Sequence, residues 1–228
     1  MATVLLLRHG RSTANAEGIL AGDLPVPLDE AGRKQALAVA DRLRDLPLAL
    51  VVSSPIVRCR ETVETISVKL SLLDPRFTEA KYGDWTGRPL KELADEPTWR
   101  VVQQHPSAAV FPGGESLAAM AARSVAAVRD WDARVTREYG PDALWLVCTH
   151  ADVIKAITAD ALGLHLDQFQ RIVVEPASLT VIRYTETRPF LLKLNDVGGN
   201  LSGLVPETAS EATTSDAVVG GGAGKVAV

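Results

Sequence analysis

The chain has 228 residues, 46% hydrophobic and 23% charged, with 24 Lys and Arg against 28 Asp and Glu for a formal charge of −4. That length suits one domain, or a domain and a tail, with a sizeable core, and the acidic balance without a basic run interleaved with aromatics argues against a nucleic-acid surface. No stretch reaches the roughly 18 apolar residues of a membrane helix, and two cysteines, Cys59 and Cys148, are too few for a disulfide framework, so a cytoplasmic protein with free thiols is expected.

Val4-Leu5-Leu6-Leu7 is uninterrupted by polar residues and stops abruptly at Arg8-His9-Gly10-Arg11-Ser12, which predicts a strand buried on both faces followed by a turn. Residues just past the carboxyl end of such a strand sit at the mouth of the ligand crevice in an α/β sheet. Arg8, His9 and Arg11 are therefore expected to face an anion, with the Gly10 backbone close to it; a strand that merely ends in polar residues is the bland alternative. Ser12 can cap a short helix to about Gly18, putting Asn15 one turn beyond Arg11 on the same face.

Asp23-Leu24-Pro25-Val26-Pro27 forces an extended loop, after which Asp29 caps a helix whose apolar face is Ala36, Leu37, Ala40 and Leu43 and which Pro47 ends. Leu48 to Val52 predict a second buried strand, stopped by Ser53-Ser54-Pro55, with Pro55 in the first turn of the next helix. Arg58 follows within the first turns of that helix, above the strand's carboxyl end, while Glu64 and Lys69 read as solvated. Glu79 falls on a loop between Pro75 and the turn-rich Tyr82-Gly83-Asp84-Trp85-Thr86-Gly87.

Pro97, Pro106 and Pro112 break the next stretch into short helical pieces, a lid over about 88–112 carrying Trp99, His105 and Phe111. Glu115-Ser116 opens the longest helix, Leu117 to about Tyr139, closed by Gly140-Pro141. Leu144 to Cys148 predict a third apolar strand running into Thr149-His150, with a helix from Ala151 to Leu162 behind it. Leu179 to Tyr184 and Phe190 to Leu194 read as a hairpin. From about 197 the composition turns to Gly, Ser, Thr, Ala and Glu, so 1–196 is the expected domain and 197–228 a loosely attached tail. Gly220-Gly-Gly-Ala-Gly-Lys225 superficially suggests a phosphate loop, but its spacing is wrong and no Ser or Thr follows the lysine.

Alternating strands and helices predict a three-layer α/β/α sandwich with a mostly parallel central sheet and the lid over the carboxyl ends of its strands. That rim collects Arg8, His9, Arg11, Arg58 and His150, a set suited to a phosphate dianion, since each charge-assisted hydrogen bond is worth about 1.5–3 kcal/mol. One histidine, kept neutral by nearby cations, can attack phosphorus, and a carboxyl of raised pKa, Glu79 or Glu115, can protonate the leaving group. Glu79 is preferred, because Glu115 opens a helix, where the anion is favoured. The scheme calls for no metal and no other cofactor. His105 and His165 match no motif and read as surface or packing residues, and Tyr82, Trp85 and Trp99 as packing residues.

These motifs make the chain resemble the histidine phosphatase superfamily, which includes the phosphoglycerate mutases, over roughly Thr3 to Tyr184. The resemblance implies His9 as the phosphohistidine nucleophile, Arg8 and Arg58 as phosphate ligands, Glu79 as proton donor and His150 as the second active-site histidine, with Ser12 and Asn15 near the phosphate. Arg11 departs from the Glu or Gln of many members, and Ala151 from the glycine common after the second histidine, where it would border the phosphate. The implied activity is a phosphomonoesterase for a small phosphorylated metabolite. A phosphomutase is the alternative, disfavoured because the stretch from Lys81 to Phe111 is short and poor in basic residues, and a catalytically silent phospholigand-binding protein is a third reading. The long Ala-rich helix and the terminal hairpin are the candidate faces of a homodimer.

Overall fold

The computed structural model describes residues 1–66, 71–199 and 219–222. Its six strands are β1 (Thr3–Arg8), β2 (Leu48–Ser53), β3 (Ser71–Leu73), β4 (Leu144–Thr149), β5 (Leu179–Arg183) and β6 (Phe190–Asp196). They form one sheet in the order β3-β2-β4-β1-β5-β6. The first four are parallel, and β5 and β6 run antiparallel as the expected hairpin. The helices are α1 (Thr13–Glu17), α2 (Glu30–Leu43), α3 (Val57–Thr65), α4 (Leu90–Leu93), α5 (Trp99–Gln104), α6 (Leu117–Tyr139) and α7 (Ala151–Ala161).

The apolar runs explain the layering. Val4 and Leu6 of β1, with Val52, Trp145 and Val147, join the core under α6 and α7, which contribute Met120, Val128, Val153 and Ile157. Leu5 and Leu7, with Val51, Leu146 and Cys148, point the other way onto Val39 and Leu43 of α2 and Cys59 and Val63 of α3. A strand whose alternate side chains both enter a core has no polar face, which is why β1 reads as a continuous apolar run. Leu6 is completely buried, and its truncation to Ala removes about 2–5 kcal/mol.

The helix ends follow their sequence signals. Ser12 Oγ accepts from Asn15 N while Asn15 Oδ1 accepts from Ser12 N, closing a capping box on α1. Asp29 Oδ1 accepts from Gly32 N at 2.7 Å, and Ser116 Oγ from Ala119 N at 3.0 Å. On α2 the exposed Leu37 leaves the expected apolar face and Val39 is buried there, and two further local expectations change. α3 starts at Val57 with Ile56 as its cap, so Pro55 belongs to the preceding bend and not to the first turn. β3 is an additional strand, three residues long, and too short to leave a periodic signature.

The proline-broken stretch does form short pieces, α4, α5 and a 3-10 turn at Pro106–Ala108. Glu64 is exposed, whereas Lys69 lies outside the described residues. Most of the expected tail likewise lies outside them. Of its described parts, residues 197–199 follow β6 directly, and Val219–Gly222 is packed against the domain, with Val219 buried in the core beneath α6 and α7. No helix among the described residues is long and apolar enough to cross a membrane.

Candidate active site

Parallel pairing sets Arg8 opposite Thr149, so β1 and β4 release His9 and His150 side by side at one rim. The two imidazoles meet edge to face with centroids 5.2 Å apart. Arg58, from the first turn of α3, lies between them: its Nε donates to His9 Nε2 at 3.1 Å and its Nη2 contacts His150 Nδ1 at 3.1 Å. A guanidinium only donates, so both of those ring nitrogens carry lone pairs. The other His9 nitrogen, Nδ1, lies 2.7 Å from Gly10 O and must hold the proton. The His150 proton then sits on Nε2, 2.9 Å from Ser54 Oγ.

His9 is therefore oriented with a basic Nε2 exposed to its cationic neighbour. Burial, then Arg58 and Arg8, hold the imidazolium form of His9 far below its ordinary range, and burial, Arg58 and the other histidine do the same for His150. Both rings are neutral at pH 7.

A cavity of about 350 Å³ opens at this rim, lined by His9, Arg58 and Glu79 together with Asn15, Leu20, Tyr82 and Leu90 among others. Glu79 is buried, accepts from Ala80 N at 3.0 Å and has its pKa raised to about 7 by burial and by the negative charge of Asp152. Arg123, from α6, fixes the loop that carries it, donating to the carbonyls of Arg76, Thr78 and Glu79 at 2.8–3.0 Å. The same guanidinium grips Glu115 through Nε and Nη2, and Lys81 N also donates to Glu115. Glu115 thus braces the loop as a paired anion outside the cavity, and Glu79 is the carboxyl that faces it.

The remaining sequence candidates separate. Asn15 lines the cavity, while Ser12 is buried beneath it as the α1 cap. Arg11 does not reach it: its Nε donates to Asp29 Oδ2 at 2.6 Å, so it and Asn15 do not share a face as expected. Gly10 is required for a reason other than an anion. A Cβ there would lie 2.5 Å from Gly32 O of α2, and its N–H already donates to Thr62 Oγ1. Arg8 and Ala151 are buried behind the cavity wall.

Phe111 and Trp99 pack on Trp85 and do not line the cavity, to which the 88–112 segment contributes Leu90. His105 and His165 are exposed. Sequence reasoning missed Arg123, Asp152 and the cavity-facing role of Tyr82, whose hydroxyl donates to Asp152 Oδ2 at 3.0 Å. Asp152 lies two residues after His150, a proximity that could have singled it out. Among the described residues no group of three or more His, Cys, Asp or Glu side chains is placed to hold a metal ion.

A doubly covered sheet brings two neutral histidines, two guanidiniums and one protonatable carboxyl together at its parallel-strand rim, where ligand crevices of α/β sheets lie. Residues 4–197 match the histidine phosphatase superfamily (branch 1), and the chain belongs to that family. It is 30% identical over 200 residues to phosphoserine phosphatase 1 of Hydrogenobacter thermophilus, covering 86% of this chain and 92% of that one. It is 31% identical to a glucosyl-3-phosphoglycerate phosphatase of Mycolicibacterium vanbaalenii over 73% of this chain and 76% of the relative. A Cronobacter sakazakii relative bearing the name "Probable phosphoglycerate mutase GpmB" is 29% identical over 95% and 96% of the two chains. Among solved structures, a mycobacterial glucosyl-3-phosphoglycerate phosphatase in complex with VO3 superposes with a TM-score of 0.75 at 28% identity, covering 85% of this chain and 98% of that one.

Proposed function

We propose that the protein is a phosphomonoesterase for a small phosphorylated metabolite, working through a phosphohistidine at His9. The observation that carries this reading is a single cavity in which a neutral imidazole with a directed lone pair faces a carboxyl that stays protonated to about pH 7. The phosphate dianion takes over the Nε–H of Arg58 that His9 holds in the free protein, which releases the Nε2 lone pair. That lone pair forms the N–P bond as the ester P–O bond breaks, and the Glu79 proton goes to the departing alkoxide. Water then attacks phosphorus, gives its proton to Glu79 and restores His9 with release of inorganic phosphate. Arg58, and Arg8 once its donors are free, hold the nonbridging oxygens, His150 positions Arg58 through Nδ1, and the 88–112 segment, through Leu90, covers the ester's remaining part.

The mutase reading would keep the same groups and return the phosphoryl group to a second hydroxyl. Against it, the cavity wall contributed by Leu20, Leu90, Ala16 and Ile19 is apolar and holds no cation besides Arg58 among the described residues, a poor grip for a second phosphate. The buried free thiols of Cys59 and Cys148 support a cytoplasmic setting. The test is phosphate release from a panel of phosphomonoesters in EDTA, wild type beside His9→Ala, with isomerisation of 3-phosphoglycerate followed in parallel. Release that survives EDTA and disappears with His9 is the expected result. Isomerisation without net release would make the protein a mutase.

A further inference from the structure

The donors of Arg8 are already occupied. Its Nη1 donates to Val174 O at 2.8 Å and to Gly221 O at 2.7 Å, and its Nη2 to Gly222 O at 2.6 Å and Gly220 O at 3.4 Å. Of the five N–H groups on a guanidinium, only Nε–H is left without a partner, in a side chain with no solvent exposure. Three of the four acceptors belong to one short stretch, Gly220–Gly222, that also borders the cavity next to His9 and Arg58.

This stretch is shaped for the place. All three glycines have positive φ, between 58° and 74°, which lets successive carbonyls turn toward one cation. A Cβ on Gly221 would overlap Ala151 Cβ and come 2.9 Å from Arg8 Nη1. Two anchors hold the stretch: the buried side chain of Val219 and the Gly220 N–H, which donates to Asp152 Oδ2 at 3.1 Å. A phosphate-binding loop aims N–H groups at its anion. Here the polarity is reversed, and oxygens are aimed at the phosphate-site arginine.

We propose that Val219–Gly222 is a built-in competitor for the phosphate site, its carbonyls occupying on Arg8 the donors that a phosphate's oxygens use. Binding of phosphate and docking of this strap exclude each other at Nη2 and at one Nη1 hydrogen. The strap keeps a buried guanidinium satisfied while the site is empty, and a dianion, whose hydrogen bonds to arginine are stronger than those of a neutral carbonyl, displaces it. This inference rests on the phosphate-site reading above.

The test is calorimetric titration of inorganic phosphate into the full chain, comparing wild type with Gly221→Val and with Val219→Asp, each checked for an intact thermal transition. Both substitutions expel the strap and are expected to tighten phosphate binding about tenfold, the equivalent of one hydrogen bond no longer to be displaced. Hydrogen exchange at 219–222 in the wild type is expected to rise when phosphate saturates the protein. Unchanged or weaker phosphate binding in the two variants, or exchange that slows with phosphate, would overturn the proposal, as would absence of phosphate binding in all three proteins. Binding requires no turnover. Tighter binding in variants that hydrolyse no ester would sink the phosphatase reading alone, and His9-dependent hydrolysis with unchanged phosphate affinity would sink the strap alone.

Discussion

On the sheet side of the site, Arg8, His9 and His150 leave β1 and β4 at matched register positions, Arg58 follows the end of β2 by five residues, and of these four His9 and Arg58 line the cavity. On the other side, Glu79 hangs on a loop whose shape is imposed by Arg123 from α6 and by Glu115 behind it. The first wall owes its geometry to the sheet, so backbone hydrogen bonds place its cations within one turn of chain. The second wall owes its geometry to one guanidinium shared among three carbonyls and a carboxylate. The proposed chemistry divides in the same way: the sheet side carries positive charge and keeps the imidazoles neutral, and the loop side carries the carboxyl proposed as proton donor.

Removing the proposed nucleophile should break the sheet side most completely. His9→Ala is expected to lower kcat on the order of 10⁴-fold or more, since among the described residues no other nitrogen lone pair lines the cavity, while circular dichroism and the melting transition stay close to wild type. On the loop side, Glu79→Gln is expected to cost about 10²–10⁴-fold with alkyl phosphates, which need a protonated leaving group. The loss should shrink markedly with p-nitrophenyl phosphate, whose phenolate departs without help. An equal loss on both esters would remove Glu79 from the acid's role.

The same carboxyl sets the pH profile. With its pKa at about 7, Glu79 is mostly protonated below that value, and kcat/KM should fall about tenfold per unit above it. His9 is depressed well below 6.5 by burial and by Arg58 and Arg8, so it stays neutral through the pH range in which Glu79 titrates and imposes no loss there. The ester's own second ionisation, near 6, is divided out by using a substrate series of different phosphate pKa. Glu79→Gln should abolish the descending limb, and a limb that survives unchanged would assign it to another group.

These walls also differ in how far the sequence disclosed them. Unbroken apolar runs announced β1, β2 and β4, and each stopped at a residue of the site, because a strand buried on both faces allows no polar side chain until it emerges at the rim. The caps Ser12, Asp29 and Ser116 were equally legible, being local hydrogen bonds between residues three apart. Glu79 could be placed on a loop, but its raised pKa depends on burial and on Asp152, 73 positions further on. Arg123 looked like any helix charge, since nothing local shows that its partners lie 44 to 47 positions upstream. Composition gave no sign that at Val219–Gly222 a glycine run unable to form a core of its own turns its carbonyls onto the buried guanidinium of Arg8.

Arg123 is the point at which the loop wall can be broken without touching the reacting groups. Arg123→Met keeps much of the apolar stem and removes the donors that hold three carbonyls of the Glu79 loop. A displacement of about 1 Å at a catalytic group can cost on the order of 10²-fold, so kcat should fall about tenfold to a hundredfold with KM for a small ester little changed. The descending limb of the pH profile should also move, because a loosened loop admits water to Glu79 and relaxes the burial that raises its pKa. A purely structural arginine would lower the melting temperature and leave that limb where it is.

The smallest expected effect is at Arg11, whose place in the sequence next to Arg8 and His9 suggests phosphate binding and whose place in the fold does not. Its Nε is held 2.6 Å from Asp29, its backbone N–H by Gln35 Oε1, and the ion pair is only partly exposed, at 21% and 14% of the two side chains. Arg11→Met should therefore leave kcat and KM within about threefold. It should cost about 1 kcal/mol of stability at most, because Asp29 keeps its capping bond to Gly32 N through the other oxygen. A loss of phosphate affinity comparable to that of Arg58→Met would return Arg11 to the site and mean that the loop around Asp29 rearranges when the anion binds.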